Sequence, residues 1–109
     1  MKGASRPRLS ALIIFCSALC VGSGALAAVP EYDIKAACAE VAAAGGGSKV
    51  IELECRKQEN AAKKRLEKNP LPQDVLSTCD EIARATGAGS YIILEECGRQ
   101  EQDAAAQLD

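Results

Sequence analysis

The sequence predicts an all-α protein of two tandem helical hairpins, four helices in all, which follow a cleaved signal peptide. Three observations predict this fold. A unit with two cysteines, a glycine turn and a serine occurs twice, and apolar residues recur at helical spacing within each unit. The four cysteines of the two units are also spaced to close each hairpin with a disulfide.

The internal repeat defines the two halves of the chain. Its copies are offset by 41 residues at the first cysteine and by 42 from the glycine turn onward. Two copies are fewer than the three or so that a solenoid needs, so a single small domain is the better prediction. In chain order the copies read Cys38, residues 45–47, Ser48 and Cys55, then Cys79, residues 87–89, Ser90 and Cys97.

Residues 1–27 have the three parts of a secretory signal peptide. Basic residues precede an apolar run at residues 9–21, and Ala-Leu-Ala at residues 25–27 provides a cleavage site. A membrane anchor is the alternative, but this run is shorter than the roughly 18 residues of a spanning helix. We therefore expect export to the periplasm or the exterior, with Cys16 and Cys20 lost when the signal peptide is removed.

The mature chain, residues 28–109, has 10 Lys and Arg against 15 Asp and Glu, a net charge of −5. This charge argues against nucleic acid as a partner and against stable association with anionic lipid after cleavage. The only aromatic residues are Tyr32 and Tyr91, so we expect a core of Ala, Ile, Leu and Val. Such a small core usually needs disulfides.

The first hairpin is predicted at residues 34–68. Its first helix ends at the glycine turn, Ser48 is a good N-cap for the second helix, and the prolines in a linker at residues 69–73 end that helix. The inner faces are predicted from apolar spacing: Ile34, Ala37, Cys38, Val41 and Ala44 on the first helix, and Ile51, Cys55, Ala62 and Leu66 on the second.

The second hairpin is predicted at residues 74–109. Asp74 and Ser90 are the expected N-caps of its two helices. A strand at residues 91–94 is the alternative, since Tyr-Ile-Ile-Leu has strand-like composition. The predicted inner faces carry Val75, Cys79, Ile82 and Ala83, then Ile93, Cys97, Ala104 and Leu108.

The cysteine spacing predicts the disulfide pairing. In each hairpin the two cysteines lie at similar distances from the turn, so antiparallel helices bring them level. This favours Cys38–Cys55 and Cys79–Cys97 among the three possible pairings. The alternatives are weaker, because a zinc site would have more closely spaced ligand pairs and no C-x-x-C redox motif is present.

Charge differs between the hairpins. Residues 34–69 carry eight basic and five acidic side chains, net +3, whereas residues 74–109 carry two basic and eight acidic, net −6. Solvated surfaces of different composition are one interpretation. The other is that opposite charges help the hairpins dock, or bring the basic half of one copy to the acidic half of another. The sequence leaves the oligomeric state open.

No catalytic, cofactor-binding or metal site is predicted. The chain has no histidine, its mature cysteines are expected to be paired, and no glycine loop follows a strand. The unusual polar residues are Glu59 and Glu101, which share a helical face with the apolar residues. We expect their carboxylates to bind backbone amides at helix N-termini, Glu59 at residues 33–36 and Glu101 at residues 74–77; a binding role is the alternative.

The repeated pattern Cys55, Glu59, Ala62, Leu66 and Cys97, Glu101, Ala104, Leu108 resembles that of small exported proteobacterial helical-hairpin proteins with paired cysteines, mostly of unknown function. This resemblance extends over nearly all of the mature chain and implies a fold, without an activity. The second copy, with Leu94 before it, is also locally similar to a helix of the secreted lysozyme-inhibitor domain. That similarity implies inhibition of a hydrolase.

The predicted function is therefore that of a non-enzymatic exported protein that binds a protein or an envelope component in the periplasm or outside the cell. A lysozyme-type hydrolase inhibitor is one alternative. A membrane-active helical hairpin is another, although the net charge and the occupied inner faces disfavour it.

Overall fold

The computed structural model describes residues 28–85 and 87–109. The predicted signal peptide, residues 1–27, lies outside this part of the chain. The described residues contain four helices and no β-strand, which confirms the predicted all-α fold and places residues 91–94 in a helix. The helices are α1 (Ile34–Ala44), α2 (Lys49–Lys68), α3 (Gln73–Arg84) and α4 (Tyr91–Leu108).

Each hairpin consists of a shorter and a longer helix that are joined by a disulfide. Helix α1 packs on α2, and α3 packs on α4. Cys38 bonds to Cys55 with 5.5 Å between their Cα atoms, and Cys79 bonds to Cys97 with 5.6 Å. The predicted pairing is confirmed, because antiparallel helices do bring the two cysteines of each unit level.

Three of the helices begin with a side-chain cap. Asp33 accepts a hydrogen bond from the N–H of Ala36, Ser48 from that of Ile51 and Ser90 from that of Ile93. Helix α3 differs from the prediction. Its N-cap is Pro72 and not Asp74, and the cap makes no side-chain hydrogen bond. Because the helix already begins at Gln73, Asp74 lies in its first turn, where a carboxylate is favourable next to the helix dipole.

The two hairpins dock through their longer helices, α2 and α4. Glu59 of α2 contacts the start of α4 at Ser90 and Tyr91. Six residues later, Arg65 forms a bidentate salt bridge with Glu95, with N–O distances of 2.7 and 2.9 Å. Both contacts advance in the same direction along the two helices, so the second half of α2 runs parallel to the first half of α4.

Two tyrosines lie at the centre of the core, contrary to the expectation of a purely aliphatic interior. Tyr91 is fully buried, and its ring centroid lies 4.6 Å from that of Tyr32. The packed helix faces carry mostly alanine and cystine, which fill little volume, whereas an aromatic ring buries about 150–250 Å². The buried cluster contains Tyr32, Ala62, Leu66, Leu71, Cys79, Ala83, Tyr91 and Leu94.

Several residues that were predicted on inner faces are exposed. Val41, Ile51 and Ile82 are each at least 38% exposed. Val41 and Ile82 belong to α1 and α3, and the hairpins dock through α2 and α4. Ala104 and Leu108 are exposed for another reason. Helix α3 has 12 residues and α4 has 18, so the end of α4 extends past its partner helix.

Candidate functional site

Among the described residues, Glu59 is the one charged residue that is buried, with a relative exposure of 5%. The backbone N–H of Tyr91 donates to its Oε1 at 2.6 Å, and the hydroxyl of Ser90 donates to its Oε2 at 2.6 Å. Two short hydrogen bonds and the positive end of the α4 dipole compensate the cost of burying this carboxylate. Glu59 therefore caps the N-terminus of α4 from the other hairpin.

The partner of Glu59 differs from the one predicted. The carboxylate does bind a helix N-terminus, but that of α4 and not residues 33–36 at the start of α1. The expected bonds from Glu101 to residues 74–77 are also not formed, and Glu101 is exposed. The prediction assumed that each glutamate faces its own hairpin, whereas the stripe that carries Glu59 faces the other one.

The segment before α1 crosses the second hairpin and is held by the tyrosine pair. The Tyr91 hydroxyl donates to the carbonyl of Pro30 at 2.7 Å and accepts from the N–H of Tyr32 at 2.8 Å. The Tyr32 hydroxyl donates to Asp80 Oδ1 on α3 at 2.6 Å. Arg84 lies over the Tyr32 ring, 4.9 Å from its centroid. These contacts tie residues 30–32 to both helices of the second hairpin.

The Tyr32–Asp80 and Arg65–Glu95 contacts shift the pKa values of two of their members. Burial, together with the hydrogen bond to Asp80, raises the pKa of the Tyr32 hydroxyl well above its ordinary value. At the α2–α4 contact, hydrogen bonding from Arg65 lowers the pKa of Glu95. Both shifts favour the protonation states that hold the hairpins and the N-terminal segment together.

An apolar groove lies on the surface of the second hairpin. It has a volume of about 320 Å³ and lies between α3 and α4. Ile82 is 50% exposed and Ile92 37% exposed, although isoleucine is among the residue types most often buried. The groove is lined by Ile82, Ile92, Ile93, Glu96, Cys97 and Gln100.

A second cavity lies between the hairpins, next to Glu59. Its volume is about 180 Å³, below the roughly 300 Å³ at which small-molecule pockets begin. Glu40 and Ser90 contribute polar atoms to its lining, but both Glu59 oxygens are already hydrogen-bonded. Each oxygen of the Glu59 carboxylate is therefore engaged in a contact with the start of α4.

The predicted site residues are distributed over two separate regions. Glu59 and Ser90 meet at the interface of the hairpins, whereas Ser48 caps α2 within the first hairpin and Glu101 is exposed on α4. No cluster of three or more His, Cys, Asp or Glu in residues 28–85 and 87–109 could hold a metal ion.

Sequence reasoning missed Tyr91 and Leu94, although the repeat contained a signal for them. The equivalent positions in the first copy are Lys49 and Glu52, so polar residues are replaced by large apolar ones at i and i+3. That substitution marks a second apolar stripe on α4. It is this stripe that receives α2.

Together these features define a class: a small α-helical protein of two disulfide-linked hairpins that dock around a buried tyrosine pair. No family model matches the sequence, and neither a curated protein nor a solved structure is significantly similar to the chain. Within the described residues, no helix has the length and apolarity needed to cross a membrane.

Proposed function

We propose that this protein is exported and acts without catalysis, by binding an apolar segment of a cationic exported protein in the groove between α3 and α4. The observation that carries the proposal is the pair of exposed isoleucines, Ile82 and Ile92, on neighbouring helices. Exposed apolar side chains that line a concave surface are typical of sites that bind peptides or helices.

The surroundings of the groove indicate the chemistry of the partner. Glu96 lines the groove, and residues 74–109 carry a net charge of −6. Such a surface favours a segment whose apolar residues are flanked by Lys or Arg, and electrostatic attraction speeds association with it. A neutral or acidic apolar segment would gain burial without this attraction.

Export is supported by the two disulfides and by the predicted signal peptide. Disulfides persist in oxidising compartments and are rare in the cytosol. The periplasm and the extracellular space are therefore the compartments in which we expect the partner. Labelling of the four cysteines before and after reduction, on protein recovered from each cell fraction, tests this part of the proposal.

Photo-crosslinking in living cells tests the groove. A photoreactive amino acid at Gln100, which lines the groove, should give an adduct with one exported protein. The Ile82→Asp change should remove that adduct. The repeat-equivalent Val41→Asp change is the matched control, because Val41 is 51% exposed and Ile82 50%, and it should leave the adduct unchanged.

Three outcomes would contradict the proposal: no adduct from Gln100, an equal loss of the adduct in both variants, or a partner whose contacting segment lacks basic residues. Lysozyme inhibition is a narrower form of the same activity, and an acidic surface suits a cationic hydrolase. Lysozyme that keeps full activity in a large excess of the protein would exclude this form. Flotation with liposomes would identify the membrane-active alternative.

A further inference from the structure

Two surfaces meet where the hairpins dock, and each has a counterpart in the other repeat. Within the described residues, the counterpart at the end of α4 and the counterpart at the start of α2 are not paired with each other. We propose that copies of this chain associate head to tail, with the end of α4 in one copy docked on the start of α2 in the next. The tail face consists of Glu101, Ala104 and Leu108. The receiving face consists of Ser48, Lys49, Leu53 and Arg56. Neither face includes the α3–α4 groove, so this inference is independent of the proposed function.

The contact between the hairpins provides the precedent. On α2, Glu59 caps the start of α4, while Ala62 and Leu66 are buried in the cluster that contains Tyr91 and Leu94. The tail face is the same pattern 42 residues later, because Glu101, Ala104 and Leu108 occupy the positions of Glu59, Ala62 and Leu66. One copy of the pattern is therefore shown to dock on a serine-capped helix start.

Within residues 28–85 and 87–109, the second copy of the pattern is left open to solvent. Residues 101–109 are all exposed, and Leu108 is 87% exposed. In contrast, Ala62 is completely buried and Leu66 is 4% exposed. The difference arises because the second hairpin packs on α2, whereas the end of α4 has no such neighbour among the described residues.

The receiving face lies at the same place in the repeat as the surface that α2 covers on α4, with Lys49 and Glu52 where α4 has Tyr91 and Leu94. Ser48 is the N-cap of α2, as Ser90 is of α4, and each hydroxyl accepts a hydrogen bond from the N–H three residues later. Ser90 also donates to Glu59, and Ser48 makes no equivalent bond among the described residues. A hollow of about 200 Å³ beside it is lined by Lys49, Glu52, Leu53 and Arg56.

Charge complementarity identifies a second copy as the occupant. Beyond Arg99 the tail of α4 carries three acidic residues, Glu101, Asp103 and Asp109, and no basic one. The receiving face carries Lys49 and Arg56, and Glu52 between them pairs with both, so this patch keeps one net positive charge in a hairpin of net charge +3. Tail-to-tail pairing would bring like charges together, which is unfavourable, so the contact must join two different surfaces.

The geometry of the docked hairpins sets the form of the assembly. Since α2 and α4 run parallel where they dock, the same contact between copies would place Glu101 next to Ser48 and Lys49. It would bring Leu108 to the hollow and to Leu53, which is 56% exposed. A contact between two different surfaces produces open chains or closed rings, so we expect species larger than a dimer at high concentration.

Sedimentation velocity on the full, oxidised chain tests this proposal. The average mass should rise with protein concentration between about 10 µM and about 1 mM, and added salt should reverse the rise. Glu101→Lys and Lys49→Glu should each weaken association by about tenfold or more, and the double variant should restore it. Both side chains are exposed, so the folded monomer should be preserved in every variant.

The matched control is Glu81→Lys, which makes the same charge change at an exposed position of α3. It should leave association unchanged. A chain that stays monomeric over the whole concentration range would overturn the proposal. So would a Glu81→Lys effect equal to that of Glu101→Lys, or a double variant that associates no better than either single one.

Discussion

The carboxylate of Glu59 binds the N-terminus of a helix in the other hairpin, accepting from the backbone N–H of Tyr91 at 2.6 Å. This contact links the two repeats. Glu59 and Glu101 occupy equivalent positions, but Glu59 binds a helix start and Glu101 is exposed. The same residue type thus has a structural role in one copy and is exposed in the other. The repeat itself therefore supplies the control for several experiments.

Replacement of Glu59 by glutamine should destabilise the protein by about 2 kcal/mol, because a charge-assisted hydrogen bond at a buried helix end is lost. In glutamine an NH2 group replaces one of the two carboxylate oxygens that now accept from Ser90 and Tyr91, so the present pair of bonds cannot be kept. Glu101→Gln, at the equivalent exposed position, should change stability by less than about 0.5 kcal/mol. Urea denaturation of dilute protein, followed by circular dichroism, measures both. Equal effects would contradict the structural role of Glu59.

Alkaline pH should weaken the fold through Tyr32. The folded state raises the pKa of this hydroxyl, while an unfolded chain releases the proton near pH 10. The stabilisation is therefore fully present below about pH 10 and is lost as the pH rises further. Between about pH 9 and about pH 11, the free energy of unfolding should fall more steeply for the wild type than for Tyr32→Phe. Parallel curves would show that Tyr32 does not contribute.

Gly89 should tolerate alanine less well than Gly47, its equivalent in the first hairpin. Both glycines have positive φ, +96° and +80°, so alanine is strained at either position. At Gly89 the added Cβ would also lie 2.7 Å from two Tyr32 ring carbons, whereas at Gly47 it meets nothing within 4 Å. Thermal unfolding should show an additional loss of about 1–3 kcal/mol for Gly89→Ala. Equal losses would mean that the ring moves aside without cost.

The two disulfides should differ in their importance. Cys79 lies in the buried cluster with both tyrosines, whereas Cys38 lies outside it, so removal of Cys79–Cys97 should disturb the core directly. We expect the Cys79→Ala/Cys97→Ala variant to lose about 2–5 kcal/mol of stability and the Cys38→Ala/Cys55→Ala variant to lose less.

Non-reducing peptide mapping provides the check on pairing for these variants and for the wild type. It should recover Cys38–Cys55 and Cys79–Cys97 peptides from the wild type. A Cys38–Cys97 peptide would show that the hairpins are interlaced. A larger loss of stability from removing Cys38–Cys55 than from removing Cys79–Cys97 would contradict the expected order.

The sequence by itself determined the helices, the turns and the disulfide pairs. Each depends on neighbours in the chain: glycines at residues 45–47 end a helix, Ser48 and Ser90 begin one, and cysteines level across a turn can bond. These are local signals, and each acts within a single hairpin. One such signal misled, because Pro72 and not Asp74 precedes α3.

Only the tertiary structure decided which helix faces meet between the hairpins. Periodicity placed Glu59 and Leu66 on one face but could not tell whether that face met α1 or α4, because either would bury the same residues. The choice depends on the fit of Tyr32 and Tyr91 between small side chains, which is a property of packed volume. That same packing covers Leu66 and leaves Leu108 in solvent, although the two residues hold the same place in the repeat.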